Sequence, residues 1–170
     1  MVHKIDEALN YLAKTIVYTL KTKPNNKMQH TAQAHWEKGL TTGQGNVKTG
    51  NGTVDSGYSY STRFEGRKNG TSPEELMAAA LVGCYSMFLS MLLGQHNFVP
   101  DYIDAGSKVY LGQKDGNPFV EKIEMKIDAC VPGITEQQFL ELAEKAKKNC
   151  PISVALSGVP VIGLEATLVE

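Results

Sequence analysis

The stretch TRFEGRKNGTSPEELMAAALVGCYSMFLSMLL, Thr62 to Leu93, decides how this chain folds. Ser72 as N-cap, Pro73 at the first helical position and Glu74 and Glu75 in the first turn form a helix opening. The serine hydroxyl can accept from an orphan backbone N–H, proline has none to lose, and the carboxylates face the positive end of the helix dipole. No charge follows from Leu76 to Leu93, so a helix is expected to about Leu93, with Gly94 ending it. A helix without a polar face must be covered on all sides, by protein or by lipid. The run is long enough to span a membrane. However, Gly83, Cys84, Ser86 and Ser90 dilute it, and its flanks carry neither an aromatic belt nor a one-sided basic cluster. A buried core helix is expected, with no membrane partner.

Upstream, QHTAQAHW (29–36) reads as extended chain, GLTTGQGNVKTGNG (39–52) as a glycine-rich hairpin region and GYSYSTRF (57–64) as an alternating strand. The glycines fit no phosphate loop, because GQGNVKTG lacks both the GxGxxG and the GxxxxGK[ST] spacing and no helix follows it. Further upstream, Ile5, Leu9, Leu12, Ile16, Val17 and Leu20 recur at helical spacing before Pro24, Asn25 and Asn26 break the pattern. Residues 1–28 are therefore expected to form a helical extension and linker, ahead of a domain over 29–170. The opening residues include Asp6 and Glu7 and lack an apolar h-region, so no signal peptide is expected there.

Downstream, YIDAGSKVYLG (102–112) reads as a strand. In VEKIEMKIDACV (120–131), Ile123, Met125, Ile127, Ala129 and Val131 alternate with charged residues, the cleanest strand pattern in the chain. Thr135 and Gln138 form a capping box for a helix whose Phe139, Leu142, Ala143 and Ala146 share one face. A short helical turn after Cys150-Pro151 and a last strand in VPVIGLEATLV (159–169) complete an α+β class of strands in meander-like groups around two substantial helices.

With 170 residues, one domain is the economical reading. The balance of 17 Lys+Arg against 18 Asp+Glu gives no long-range attraction to nucleic acid. An odd count of 3 Cys argues against a secreted disulfide framework and for a reducing, cytoplasmic setting. Cys130 sits on the charged side of its strand, away from the apolar face, which makes it a bystander. Cys84 reads either as a small core hydrophobe or as one half of a redox pair. Cys150, before a proline at N1, occupies an N-cap position where N–H groups and the helix dipole favour a thiolate. A Cys–His nucleophile is poorly supported, since His96 lies twelve residues beyond Cys84. His30 and His35 would point to opposite faces of a strand, which gives no metal site. Arg63 and Glu74 read either as a surface ion pair or as a guanidinium, fixed by a carboxylate, that lowers a thiol pKa.

The segments YSTRFEG…GTSPEELMAAALVGCYSM and KAKKNCPISVALSGVPVIGLEATL resemble the two signature regions of the OsmC/Ohr family of osmotically inducible and organic hydroperoxide resistance proteins. TRFEG and PEEL ahead of the first cysteine are closer to the OsmC branch, and the resemblance runs from about Gln29 to Glu170. It implies an intertwined homodimer with antiparallel strands around two long central helices, and a thiol peroxidase needing no metal or flavin cofactor. It implies Cys84 as the peroxidatic and Cys150 as the resolving cysteine, joined as a disulfide during turnover, with Arg63 and Glu74 as their activating pair. The implied partners are an organic hydroperoxide substrate and a dithiol reductant, in this family a lipoyl-bearing protein. Ser72 stands where the family often has asparagine, a conservative change at an N-cap. The rival readings are a non-enzymatic dimeric ligand-binding or stress-associated protein of the same fold, and a cysteine hydrolase, for which no histidine lies near Cys84 in sequence.

Overall fold

A computed structural model describes residues 28–169. The helix and linker expected over 1–28 fall, but for Met28, outside the described residues. Three short strands come first, β1 (Ala32–Glu37), β2 (Gln44–Thr49) and β3 (Asp55–Ser59), paired antiparallel in sequence order. Trp36 and Tyr58 stack against each other at 5.2 Å on one face of this sheet, but no residue in its strands is fully buried.

The alternation in GYSYSTRF does not continue as a strand. Ser59 ends β3 by capping a one-turn helix, α1 (Tyr60–Phe64), in which Ser59 and Thr62 form a reciprocal capping box. A hydroxyl at Ser59 meeting another three residues on is a helix-start signal that outweighs the period-two pattern. The Thr62 hydroxyl also donates to the carbonyl of Thr71 at 2.8 Å, and Thr71 N–H donates to Gly57 O, tying α1 to the start of the next helix.

That helix, α2, is Pro73–Gln95, opened by the expected Ser72 cap with Glu75 returning to the Ser72 N–H. It runs past Gly94. The termination is a Schellman-type turn in which Phe98 N–H reaches Leu93 O and Asn97 N–H reaches Gly94 O, with Asn97 at φ 64°. Asparagine supplies the left-handed residue that glycine usually provides, so the last helical residue is Gln95, two residues beyond Leu93.

Two long strands, β4 (Tyr102–Lys114) and β5 (Asn117–Cys130), form an antiparallel hairpin. The chain then forms α3 (Glu136–Asn149), the single turn α4 (Pro151–Ala155) and β6 (Val161–Val169). Here the expectation of antiparallel strands needs correction: β6 pairs parallel to β5, from Lys122↔Val161 to Cys130↔Val169. The two helices between these strands are the crossover that a parallel pair requires. They leave β5 central in a sheet of order β4-β5-β6.

Ile123, Met125, Ile127 and Ala129 of β5 are buried on the side facing Phe139, Leu142 and Ala146 of α3 and Leu81, Tyr85, Leu89 and Leu93 of α2. The Tyr85 hydroxyl, inside this core, donates to Ala143 O at 3.1 Å and links α2 to α3. The apolar helix is thus a core helix on one side. On the other, Ala79, Ala80, Gly83, Met87, Ser90 and Met91 are exposed, with Met87 at 77%. By length and composition α2 could cross a membrane, but 28% of its apolar window is already buried inside the subunit. Burial by protein is what its packed face requires.

Candidate active site

Cys84 lies at the middle of α2, between Leu81 and Tyr85 on the packed side and Gly83 on the open side. Cys150 lies at the joint of α3 and α4, where it is at once the C-cap of one helix and the N-cap of the next. Pro151 cannot continue α3 but suits the first position of a new helix, so the chain turns sharply at the cysteine. The turn carries Cys150 inward to 0% exposure while Cys84 stays partly accessible.

The two sulfurs meet although 66 residues separate them. The Cys150 thiol donates to Cys84 Sγ across 3.0 Å. A covalent S–S bond is about 2.05 Å, so about 1 Å of approach would join them. Cys130 is elsewhere: it closes β5 and its thiol points to Asp101 Oδ2 at 3.7 Å. Burial and the neighbouring Asp101 carboxylate raise its pKa, which suits an inert thiol.

The Cys84 thiol is also pushed up, first by burial and then by the hydrogen bond it shares with Cys150. The backbone N–H of Ile152 acts in the opposite direction. Sequence reasoning missed this amide. The signal for it was Pro151: a proline at the first helical position leaves the next backbone N–H groups unclaimed, and here one faces the sulfur of another helix. The N–H expected to favour a thiolate at Cys150 is thus directed at Cys84.

Arg63 and Glu74 form the expected pair. Arg63 Nη2 donates to Glu74 Oε1 at 2.7 Å, and Nε contacts both carboxylate oxygens at 3.1 and 3.2 Å. This fork geometry fixes the guanidinium plane. The Glu74 side chain is only 12% exposed and that of Arg63 34%. The pair lines a cleft of about 330 Å³ with Ser72, Ala78 and the β4 residues Ser107 to Val109. Within one subunit it does not adjoin the cysteines. Glu74 and Cys84 are ten residues apart on one helix, about 15 Å along the axis. The four residues therefore form two separate pairs in the single chain, Cys84 with Cys150 and Arg63 with Glu74.

The family profile described as OsmC-like protein matches residues 66–165. The chain belongs to the OsmC family. It is 43% identical to Peroxiredoxin OsmC of Escherichia coli (strain K12) over 125 residues, 73% of this chain and 87% of that protein. It is 32% identical to the Organic hydroperoxide resistance protein of Xanthomonas axonopodis pv. citri (strain 306) over 91 residues, 53% of this chain and 62% of that one. The solved structure of an organic hydroperoxide resistance protein from Elizabethkingia anophelis aligns with a TM-score of 0.62 at 26% identity, covering 85% of this chain and 99% of that one. The match spans α2, β4, β5, α3 and α4, the elements that hold both cysteines.

Proposed function

We propose that the chain is a two-cysteine thiol peroxidase that reduces organic hydroperoxides to alcohols in defence against oxidative stress. The observation that carries this reading is the 3.0 Å contact between Cys84 and Cys150 in a core where neither has another thiol neighbour among the described residues. The names of its relatives, a peroxiredoxin and an organic hydroperoxide resistance protein, support the same chemistry.

The Cys84 thiolate attacks the distal peroxide oxygen. The O–O bond breaks, the alkoxide takes a proton and leaves as alcohol, and Cys84 becomes a sulfenic acid. The Cys150 thiol displaces the sulfenic hydroxyl, which departs as water and leaves a Cys84–Cys150 disulfide. A dithiol reopens it, on a free reductant or on a lipoyl-bearing protein, in a cytoplasmic setting where such reductants are held. Met77 and Phe88, like Cys84, are partly buried on α2 at the edge of the core, and apolar surroundings of this kind favour an alkyl peroxide over hydrogen peroxide.

The raised Cys84 thiol needs a cation, and Glu74, which holds the same chain's Arg63, is about 15 Å away along α2. A homodimer resolves this. The exposed stripe Ala79, Ala80, Gly83, Met87 and Met91 is apolar and narrow, and an ideal Cβ placed on Gly83 would meet nothing within 4 Å. Two α2 helices crossing antiparallel near Ala79, midway between Glu74 and Cys84, would bring each subunit's Glu74 level with the partner's Cys84. Arg63 held by Glu74 would then serve the thiol of the other subunit, lowering its pKa and stabilising charge on the breaking O–O bond. The sheet β1–β3, in which no strand residue is fully buried, also needs a second layer that a partner would supply.

The test is a multiple-turnover assay with cumene hydroperoxide and hydrogen peroxide, each with dithiothreitol or dihydrolipoamide as reductant. Faster consumption of the organic peroxide is expected with either dithiol. No turnover of either peroxide would leave the fold as a non-enzymatic binding protein.

A further inference from the structure

Ser153 is unexplained by the chemistry above. It is 5% exposed, and its hydroxyl is buried with no hydrogen-bond partner. A buried hydroxyl without a partner loses the hydrogen bonds it had in water, and such groups are rare in folded proteins. Its place in the chain is specific. Ser153 is the third residue of α4, whose N-cap is Cys150, and Cys150 makes no side-chain capping bond. In each of the three other helices among the described residues the corresponding residue turns its side chain back to the N-cap residue. Thr62 Oγ1 accepts from Ser59 N–H at 2.9 Å, Glu75 Oε2 from Ser72 N–H at 3.1 Å, and Gln138 Oε1 from the Thr135 hydroxyl at 3.0 Å. In α4 the N-cap side chain is a thiol that is already donating to Cys84. That leaves the Ser153 hydroxyl without a partner in the reduced pair, at the helical position from which the other three side chains turn back to their N-cap residues.

We propose that Ser153 is the hydrogen-bond donor to Cys150 when that sulfur is expelled from the Cys84–Cys150 disulfide. The inference rests on the thiol–disulfide cycle proposed above and deepens its reductive half. Cys150 is fully buried and Cys84 is partly accessible, so an incoming thiolate attacks Cys84 Sγ. The new S–S bond forms between reductant and Cys84, the old one breaks, and its electron pair leaves on Cys150 Sγ, where the Ser153 O–H is offered. The reductant's second thiolate then attacks its own sulfur in the mixed disulfide and expels the Cys84 thiolate. The two protons shed by the dithiol restore both protein thiols. A better-stabilised leaving thiolate departs faster.

The test separates this step from peroxide chemistry by forming the disulfide with diamide. Reopening by dithiothreitol is followed by rapid quenching and thiol labelling in the full-length wild type, Ser153→Ala and Ser153→Thr. Ser153→Ala should reopen about tenfold more slowly, as befits loss of a hydrogen bond to a charged group. Ser153→Thr, which keeps the hydroxyl, should reopen within about twofold of wild type. Oxidation of reduced Ser153→Ala by cumene hydroperoxide should be unchanged, because the hydroxyl does not act on Cys84. Equal reopening rates in Ser153→Ala and wild type would overturn the proposal, as would equal slowing of both half-reactions. So would failure of diamide to join the two cysteines. Normal reopening after diamide, with no oxidation by cumene hydroperoxide, would instead remove the peroxidase reading and leave the serine's role intact.

Discussion

At the scale of single residues, the proposed chemistry rests on one contact and one separation. The 3.0 Å thiol pair supports the roles proposed for Cys84 and Cys150, and the separation of about 15 Å between Glu74 and Cys84 along α2 supports the proposal that Arg63 serves the other subunit. Cys84→Ser should abolish turnover, and Cys150→Ser should allow one oxidation event that ends in a sulfenic or over-oxidised Cys84, read by intact mass. Cys130→Ser should retain wild-type rates. Burial raises the Cys84 pKa in the single chain, so the reactive thiolate is gained only as pH rises. Arg63→Met should therefore move the rise in oxidation rate to higher pH and slow the reaction at pH 7 by about a hundredfold, the scale of losing a donor to developing charge. Arg63→Lys should not restore it, since lysine keeps the charge but lacks the fork that Glu74 holds through both Nε and Nη2. Thiolate absorbance against pH reports the first effect and oxidation kinetics the second. An unshifted profile in Arg63→Met would mean that another group activates Cys84. Both cysteines and both members of the ion pair were legible in the sequence through the family's motifs. That the two pairs lie apart within one chain was not, because a motif orders residues along the chain and carries no information on the distance between its parts in the fold.

At the scale of elements, capping and crossover decide the differences between pattern and structure. Ser72, Pro73 and the Thr135–Gln138 box were legible because they are local, and the structure places each cap on the backbone N–H expected of it. The Ser59–Thr62 box was hidden inside an alternating run, and the Asn97 turn behind a more conspicuous glycine. The parallel pairing of β6 was not legible at all: β6 has the same apolar pattern in either direction, and only the two intervening helices dictate its course. The join between α2 and α3 can be tested directly. Tyr85→Phe removes the buried hydroxyl that donates to Ala143 O and should cost about 1 kcal/mol in urea unfolding, with the peroxide rate intact. Burial pushes the Tyr85 phenol up, so the unfolded chain ionises first. The stability from keeping it neutral is complete below the usual tyrosine pKa of about 10 and is lost as pH rises beyond it. The Phe variant should lose less stability than wild type over that alkaline range.

At the scale of the whole molecule, one side of α2 and the sheet β1–β3 are left uncovered by the described residues. Gly83→Leu distinguishes a dimer from a self-sufficient subunit. In one chain the new side chain enters open space and leucine favours helix over glycine by about 1 kcal/mol, so a monomer would gain stability and keep its activity. Across a close antiparallel crossing it would hold the helices apart. Sedimentation should then show dissociation, and Cys84 oxidation should slow. Residues 1–27 contain no member of either pair, and their removal should lower the melting temperature modestly while preserving the peroxide rate. The central claim is that Cys84 and Cys150 exchange electrons with a hydroperoxide, and thiol titration with disulfide mapping tests it most directly. One equivalent of cumene hydroperoxide should remove two of the three thiols, leave Cys130 free and yield a single Cys84–Cys150 peptide, which dithiothreitol reverses. Three thiols remaining after treatment, or a disulfide that includes Cys130, would contradict it.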